Sequence, residues 1–220
     1  MANKRRIVVT SGPTREFIDP IRFISNPSTG KMGYHIAKAA VARGYEVVYI
    51  VGPGDPQYCD VVGAKTKRVI STEDMLKEVL RSLKKQAILI MAAAPADYRP
   101  EKRSPVKLKK TESPELKLIP NPDILKTINE KGLKDKLGLF LVGFAAETHN
   151  GENYALKKLE EKNLDIIFLN DLSRKDSGFA VETNQLTLFT REGRKEKWKT
   201  DSKEKLGEKI ISTLESYFFR

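Results

Sequence analysis

The sequence predicts an α/β protein with a Rossmann-like, mostly parallel sheet that carries helices on both faces. Short runs rich in Val and Ile occupy residues 7–10, 46–51 and 87–91, and stretches with apolar residues at helical spacing separate them. Strands that are apolar on both faces are typical of a parallel sheet covered from both sides. With 220 residues, the whole chain 1–220 is expected to form one domain.

The first half of the chain supplies three strands and two helices. Residues 7–10 form a strand that ends in a Ser-Gly-Pro-Thr turn. After a polar loop, Ser28 or Thr29 can cap a helix that runs to Gly44, because its apolar residues recur at helical spacing. A strand at 46–51, a helix at 72–84 and a strand at 87–91 follow.

The second half resumes this alternation after an insertion. Residues 100–122 hold five of the eleven prolines, so we expect an irregular flap over about residues 99–120, with short strands at 106–108 and 116–118. Helices are predicted at 123–131, 154–162 and 202–217, and strands at 139–144, 165–170, 185–189 and 196–199. The last two strands flank Arg-Glu-Gly-Arg at 191–194 and form a C-terminal hairpin.

The composition excludes several classes of protein. The longest apolar runs are about ten residues, roughly half of what a bilayer-spanning helix requires. No apolar signal-peptide segment follows the basic N-terminus, so we expect a cytoplasmic protein that does not contact a membrane. One cysteine and two histidines exclude an internal disulfide and a zinc cluster, so any metal is expected to be oxygen-bound.

The formal charge of +11 favours anionic partners, among them nucleotides, phosphorylated substrates and nucleic acid. Six basic residues and one acid lie at 99–110, with the aromatic Tyr98 at the edge of this patch. Proteins that bind single strands interleave aromatic with basic residues, so we expect no nucleic acid partner. A solvated surface is the alternative explanation of the excess charge.

The segment Ser-Asn-Pro-Ser-Thr-Gly-Lys-Met-Gly at 25–33 opens the first helix. Backbone amides and the positive end of the helix dipole can meet an anion there. It is not a Walker A loop, because Ser25 replaces the first glycine and Met32 the final Ser or Thr, and Ser28 breaks the dinucleotide fingerprint. It is either an anion site, which its place in an open α/β sheet favours, or only a helix cap.

Charged residues follow the strands on the same side. Arg15 and Arg22 can clamp a phosphate or carboxylate, or they can pair with nearby acidic residues. Asp97 can contact Mg²⁺ or a base amine, or be an ordinary loop aspartate. Lys158 and Lys162 are four residues apart on one helix face and can reach a polyphosphate or only solvent. The loops after 91 and 143 are expected to form the two walls of a nucleotide pocket.

Together these segments resemble one family, phosphopantothenate-cysteine ligase (phosphopantothenoylcysteine synthetase) of coenzyme A biosynthesis. The matching segments run in family order from residue 10 to about 190. They are Ser-Gly-Pro-Thr-Arg-Glu-Phe-Ile-Asp-Pro-Ile-Arg-Phe-Ile-Ser-Asn at 11–26, Ser-Thr-Gly-Lys-Met-Gly at 28–33, Ala-Ala-Pro-Ala-Asp-Tyr-Arg at 93–99, Lys-Leu-Lys-Lys at 107–110, Asn-Pro-Asp-Ile-Leu at 121–125, Val-Gly-Phe-Ala-Ala-Glu-Thr at 142–148, Asn-Leu-Asp-Ile-Ile at 163–167 and Asn-Asp at 170–171.

The resemblance implies a ligase that condenses 4′-phosphopantothenate with L-cysteine. In the bacterial form, the carboxylate attacks the α-phosphate of CTP, releases pyrophosphate and forms an acyl-cytidylate, from which the cysteine amine displaces CMP. The resemblance also implies Mg²⁺, with its ligands left open, and a homodimer whose interface we expect in the extension after Asn170.

The resemblance further implies the site residues. Asn26 matches the asparagine that stabilises the acyl-cytidylate, Arg22 is a neighbouring active-site arginine, and Lys107 is a lysine on the flexible flap. The nucleotide-binding positions are Gly12, Ser28, Gly30, Ala92, Ala94, Asp97, Phe144, Lys158 and Lys162. Phe144 and the backbone of 92–94 are expected to flank the base, and Asp97 to contact ribose or metal.

Two features depart from the family pattern. Pro27 and Thr29 stand in a loop that bacterial relatives often write Asn-His-Ser-Ser-Gly or Asn-Arg-Ser-Ser-Gly. This difference is expected to stiffen the loop while it keeps Asn26. Bacterial members are commonly fused behind a flavin-dependent decarboxylase, so the chain is either free-standing or an excised domain. The alternatives are a Rossmann-like nucleotide- or RNA-binding regulator without catalysis, and a short-chain dehydrogenase, for which Tyr154 and Lys158 lack a glycine-rich cofactor loop.

Overall fold

The computed structural model describes residues 5–110, 115–172 and 181–218. Its strands are β1 (Ile7–Ser11), β2 (Glu16–Phe17), β3 (Phe23–Ile24), β4 (Val47–Val51), β5 (Lys65–Arg68), β6 (Ile88–Met91), β7 (Tyr98–Pro100), β8 (Leu118–Pro120), β9 (Phe140–Glu147), β10 (Ile166–Asp171), β11 (Thr183–Asn184), β12 (Leu186–Thr190), β13 (Lys195–Lys197) and β14 (Asp201–Ser202). Its helices are α1 (Lys31–Ala42), α2 (Thr72–Ser82), α3 (Ile124–Glu130), α4 (Leu133–Leu137), α5 (Gly151–Glu161) and α6 (Lys203–Phe218).

The central sheet has the strand order of a Rossmann fold. Within the described ranges, parallel strands follow the order β5-β4-β1-β6-β9-β10, β12 pairs antiparallel with β10, and β13 pairs antiparallel with β12 at the edge of the sheet. The chain therefore builds outward from β1 in both directions, and the order reverses between β1 and β6. This confirms the predicted fold class and places a crevice at the carboxyl ends of these strands.

Helices cover both faces of the sheet, as predicted. On one face, α1 and α6 pack around Trp198, Val9 and Phe168. On the other face, α2, α3 and α5 pack on Val8 and Leu141. Successive strand residues such as Val8 and Val9 enter opposite cores, which explains why the strands are apolar on both faces.

The first helix begins very close to the first strand. Gly30 caps α1 with a φ of +86°, a left-handed conformation that favours glycine. A Cβ on Gly33 would lie 2.5 Å from Ser11 Oγ and 3.0 Å from Thr10 O. The absence of a side chain at Gly33 therefore lets α1 approach β1 and fixes the position of the segment that precedes the helix.

Gly33→Ala is expected to lower the free energy of unfolding by about 1–3 kcal/mol, because the added methyl group overpacks the contact between α1 and β1. Urea unfolding measures this change. Ala42→Ser, at an exposed position of the same helix, should stay within about 0.5 kcal/mol of the wild type. An unchanged midpoint for Gly33→Ala would show that this contact does not limit the approach of the helix.

Several local expectations differ from the structure. Gly30, and neither Ser28 nor Thr29, is the capping residue of α1. The strand predicted at 106–108 is absent from the described part of the flap, whose base is the pairing of β7 with β8. The hairpin of β12 and β13 is confirmed, with its second strand beginning at Lys195. No helix among the described residues is long and apolar enough to cross a membrane.

Two predictions reach beyond the described residues. The flap at 99–120 includes residues 111–114, and the extension predicted to hold the dimer interface includes residues 173–180, both of which lie outside the described ranges. The homodimer and the single domain over 1–220 stay predictions.

Candidate functional site

A cavity of about 520 Å³ lies at the carboxyl edge of the sheet, beside the point where the strand order reverses. Its walls are residues 92–97 after β6 (loop 92–97), the end of β9, Asn170 at the end of β10 and the first turn of α1. Open α/β sheets bind ligands at this position. The two loops predicted to face each other therefore meet across one cavity.

Nine of the twelve predicted site residues line this cavity. They are Asn26, Ser28, Gly30, Ala92, Ala94, Asp97, Phe144, Lys158 and Lys162. The other three lie outside its lining: Gly12 acts through its backbone, Arg22 pairs with Asp19, and Lys107 is exposed on the flap. The grouping supports the predicted site, while the role of each residue stays a prediction.

Two main-chain carbonyls orient the Asn26 side chain. Asn26 Nδ2 donates to Ala94 O at 3.2 Å and to Pro95 O at 3.0 Å. Because carbonyl oxygens only accept hydrogen bonds, the amino group must face loop 92–97 and Oδ1 must face away from it. Asn26 therefore keeps Oδ1 available to a ligand on a side chain that cannot flip without losing two hydrogen bonds.

A buried chain of hydrogen bonds holds loop 92–97 from behind. Ala96 N donates to Thr14 Oγ1 at 2.9 Å, and the Thr14 and Thr72 hydroxyls are 2.9 Å apart. Thr72 donates to Glu16 Oε1 at 2.8 Å through both its backbone N and its hydroxyl. From another side, Asn121 Nδ2 donates to Ala96 O at 2.8 Å. These contacts preorganise the cavity wall, as a binding site requires.

Gly12 shapes the cavity without lining it. Its φ of +73° turns the chain at the end of β1, and its carbonyl accepts a hydrogen bond from Ala94 N at 2.9 Å. The adjacent Ser11 Oγ donates to Gly30 O at 2.7 Å. The end of β1 is thus joined to loop 92–97 on one side and to the start of α1 on the other.

Lys158 brings a positive charge to the end of β9. Its Nζ donates to Phe144 O at 2.8 Å, and burial lowers the pKa of Lys158 below its ordinary value. The Phe144 ring centroid lies 5.4 Å from that of Phe168, which restrains the ring at the cavity wall. Phe144 and Lys158 therefore offer an aromatic ring and an ammonium group to the cavity, which suit a ligand with a flat base and a phosphate.

The Lys162 side chain is paired with a carboxylate of the protein. It forms an ion pair with Asp123, whose Oδ1 also accepts a hydrogen bond from Lys126 N at 2.9 Å and caps α3. Burial opposes ionisation of Asp123, but the hydrogen bonds from Lys126 N and Lys162 outweigh it and lower the pKa of the carboxyl group. A ligand must therefore compete with Asp123 for Lys162.

The opposite wall carries two lysines that the sequence did not single out. Lys31, at the start of α1, pairs with Glu182 and lies 5.5 Å from the centroid of the Tyr58 ring. Lys203, at the start of α6, is 2% exposed, and burial followed by the charge of Lys31 lowers its pKa to about 8. Both line the cavity, on the face of the sheet opposite to Lys158. They are far apart in the chain, so only packing brings them together.

The charge of Lys203 should make stability depend on pH. Its pKa is about 8 in the folded protein, against 10.5 for an ordinary lysine. Between these values the unfolded chain binds a proton that the folded protein has lost, so stability rises with pH; below about pH 8 the contribution is constant. Relative to Lys203→Met, the wild type should therefore gain stability from about pH 8 to about pH 10.5.

Urea unfolding at several pH values measures that difference. Lys205→Met is the matched control, because Lys205 is an exposed lysine in the same turn of α6. The wild type and Lys205→Met should show the same pH dependence. Parallel curves for the wild type and Lys203→Met would contradict a lowered pKa.

Neither predicted arginine clamp faces the cavity. Arg22 Nε and Nη2 donate to Asp19 Oδ2 at 2.9 and 2.6 Å, which is the alternative that the sequence left open. The Arg22 guanidinium holds the pKa of the Asp19 carboxyl well below its usual range. Arg15 lies over the Phe23 ring, 4.5 Å from its centroid, and donates to Pro53 O at 3.4 Å. The geometry therefore does not support a direct clamp on a ligand.

The acidic residues of the cavity do not form a metal cage. Among the described residues, no group of three or more His, Cys, Asp or Glu side chains is placed to hold an ion. Asp97 and Glu147 line the cavity singly, and Asp123 is paired with Lys162. This donor set fits Mg²⁺ held mainly by substrate phosphates and water with one carboxylate, and it does not fit a dedicated protein-bound Mg²⁺.

Fold and cavity together define a Rossmann-like α/β protein with a basic cleft at its strand-order reversal. The chain belongs to the family of the DNA/pantothenate metabolism flavoprotein C-terminal domain, which matches residues 2–217. This confirms the resemblance that the ordered motifs predicted.

Sequence relatives agree with this membership. The coenzyme A biosynthesis bifunctional protein CoaBC of Bacillus subtilis (strain 168) is 44% identical over 192 residues, which are 87% of this chain and 46% of that protein. The protein of the same name from Escherichia coli (strain K12) is 42% identical over 212 residues, 94% of this chain and 51% of that protein. The chain thus spans about half the length of the curated relatives it matches.

Solved structures share the fold. The crystal structure of the C-terminal domain of the bifunctional protein CoaBC is 36% identical with a TM-score of 0.80, and the match covers 98% of this chain and 96% of that chain. A Cab2 mutant in complex with phosphopantothenate-cysteine has a TM-score of 0.71 at 19% identity, and the match covers 98% of this chain and 86% of that chain.

Proposed function

We propose that the protein condenses 4′-phosphopantothenate with L-cysteine through an acyl-cytidylate, converting CTP to CMP and pyrophosphate. The observation that carries this proposal is the 36% identity to the C-terminal domain of CoaBC over 98% of the chain. Two further observations support it: nine of the twelve predicted site residues line one cavity, and the related Cab2 structure contains phosphopantothenate-cysteine.

The first step needs charge neutralisation and alignment. The carboxylate oxygen of phosphopantothenate attacks the α-phosphorus of CTP, the bond from that phosphorus to the bridging oxygen breaks, and pyrophosphate leaves. Two anions must approach each other while charge builds on the leaving group. Lys158 on one side, and Lys31 with Lys203 on the other, supply preorganised positive charge for this step. Phe144 and residues 92–94 flank the base.

The second step exchanges the nucleotide for an amine. The nitrogen of cysteine attacks the acyl carbon, the bond from that carbon to the phosphate oxygen breaks, CMP leaves, and the amine loses its proton. The acyl-cytidylate must survive until cysteine arrives, which requires a partner with fixed orientation and protection from water. The restrained amide of Asn26 suits the first requirement, and the flap that carries Lys107 suits the second.

We also propose CTP as the nucleotide, Mg²⁺ as the counter-ion of its phosphates, and a cytoplasmic homodimer, as the family resemblance implies. Mg²⁺ bound in this way would neutralise phosphate charge. Asp97 and Glu147, whose carboxylates form no ion pair with another described residue, are the candidates in the cavity lining for contact with it.

An assay that follows both half-reactions tests the proposal. With CTP, Mg²⁺ and phosphopantothenate, the protein should release pyrophosphate without cysteine. Addition of cysteine should then produce CMP and phosphopantothenoylcysteine, detected by mass spectrometry. Pantothenate and serine serve as controls for the two acceptors. Failure to release pyrophosphate from CTP, ATP, GTP and UTP alike would exclude the ligase activity.

A further inference from the structure

A buried carboxylate joins the flap to the hairpin that precedes Asn26. Asp19 lies between β2 and β3, and its side chain has no exposed surface. Its Oδ1 accepts hydrogen bonds from Ile21 N at 3.0 Å and Arg22 N at 2.8 Å. Its Oδ2 accepts two from the Arg22 guanidinium and a third from Leu108 N, at 3.2 Å, in the flap.

Arg22 completes the attachment of the flap. Its Nη2 donates to Leu108 O at 3.0 Å, while Leu108 N donates to Asp19. Both backbone polar groups of one flap residue are therefore bound by two side chains of the β2–β3 loop. We call Asp19, Arg22 and the backbone of Leu108 the flap clamp.

Two further contacts run beside the flap clamp. Ser104 N donates to Ile18 O at 2.9 Å, and the Arg103 guanidinium lies 5.0 Å from the centroid of the Phe17 ring. The first part of the flap thus follows the β2–β3 hairpin over several residues. The side chain of Leu108 itself is 44% exposed, so polar contacts rather than apolar burial hold this residue.

We propose that Asp19 and Arg22 are positioning residues that fix the flap backbone beside Lys107. Lys107 directly precedes Leu108, whose backbone is held by the flap clamp. The main chain at Lys107 is therefore restrained, while its exposed side chain is free to change conformation. The same hairpin leads through β3 to Asn26, which lies two residues beyond Ile24. The flap clamp therefore attaches the backbone beside Lys107 to the hairpin that leads to Asn26. The catalytic use of Lys107 rests on the proposed function.

Burial distinguishes the flap clamp from an ordinary surface ion pair. The Lys117–Glu101 pair on the same flap joins side chains that are 74% and 36% exposed, and pairs of that kind contribute little. A carboxylate without exposed surface has lost its water and depends on its protein partners. Removal of its charge should therefore loosen Leu108 far more than removal of the Glu101 charge.

Limited digestion of the full chain with trypsin tests the flap clamp without substrates. Asp19→Asn keeps the shape of the side chain but removes the charge that binds Arg22. We expect it to raise the rate of cleavage after Lys107 and Lys109 by about tenfold or more, since charge-assisted hydrogen bonds are lost and local opening becomes easier. Cleavage at the wild-type rate would overturn the proposal.

The matched control is Glu101→Gln, which should leave cleavage within about twofold of the wild type. Equal acceleration by both variants would overturn the assignment to Asp19. Circular dichroism verifies that each variant is folded. If Asp19→Asn does not fold, Arg22→Gln replaces it, because Arg22 is half-exposed and its loss leaves the backbone hydrogen bonds of Asp19 in place.

A double-mutant cycle connects the flap clamp to Lys107. Asp19→Asn should lower the kcat of phosphopantothenoylcysteine formation about tenfold, but by less than about twofold in a Lys107→Ala background, because a positioning residue acts only through the group it positions. Independent, multiplying losses would overturn the proposal. If the wild type releases no pyrophosphate, the proposed function fails, while the trypsin experiment still decides whether the flap clamp exists.

Discussion

Lys158→Met should reduce pyrophosphate release from CTP by about 100-fold or more, the effect seen when a preorganised donor to developing charge is removed. Methionine keeps the length of the side chain and removes the ammonium group that donates to Phe144 O at 2.8 Å inside the cavity. Steady-state measurement of pyrophosphate with CTP and phosphopantothenate gives the size of the loss. The loss should appear in the first half-reaction, before cysteine is added.

Stability separates this loss from misfolding. The lowered pKa of Lys158 means that folding disfavours its charged form, so methionine relieves that cost while it leaves Phe144 O without this donor. These effects oppose each other, and we expect the free energy of unfolding to change by no more than about 1 kcal/mol. Lys157→Met is the matched control, since Lys157 is 67% exposed and pairs with Glu161. A similar loss of activity in Lys157→Met, or none in Lys158→Met, would contradict the assignment.

Asn26→Asp should separate the two half-reactions. Pyrophosphate release should stay within about tenfold of the wild type, while formation of the amide product should fall by about 100-fold. An ionised aspartate only accepts hydrogen bonds, so it loses both bonds to Ala94 O and Pro95 O and turns negative charge toward the intermediate. Rapid-quench measurement of pyrophosphate and product in the same reaction gives the ratio of the two steps.

The variant Asn121→Asp shows whether Asn26 acts by contact with the acyl-cytidylate or only by support of loop 92–97. Asn121 Nδ2 donates to Ala96 O at 2.8 Å, so this variant loosens the same loop 92–97 from another side. We expect Asn121→Asp to change both half-reactions by similar factors. If it shifts the ratio as strongly as Asn26→Asp does, then Asn26 acts by anchoring the loop and not on the acyl-cytidylate.

Sequence reasoning found the strands that are buried on both faces and missed elements whose residues carry no apolar pattern. Runs with Val and Ile on both faces became the buried strands β1, β4 and β6, because burial on two sides demands apolar residues throughout. β5 was missed since it is an edge strand of Lys, Thr, Lys and Arg, whose side chains carry no apolar pattern. The short helix α4 was missed as well, and its five residues are too few to show a period.

The site shows the same division. The glycine-containing turn at 25–33 and the small residues after β6 could be found in the sequence, because both are local patterns. The hydrogen-bond chain through Thr14, Thr72 and Glu16 could not, because it joins β2 and α2 to loop 92–97 across the fold. The sequence left open whether Arg22 clamps a ligand or pairs with a nearby acid, and packing decides for the pair with Asp19, three residues away.

The sequence by itself determined the α/β alternation, the loops that face the crevice and, through motifs in a fixed order, the family. The tertiary structure decided which charges meet. Lys158 and Lys162 lie one turn apart, yet the first binds a carbonyl and the second an aspartate, while Lys31 and Lys203 share a wall although most of the chain separates them. Backbone conformation depends mainly on near neighbours in the chain, whereas burial and pairing of charge depend on how distant elements pack.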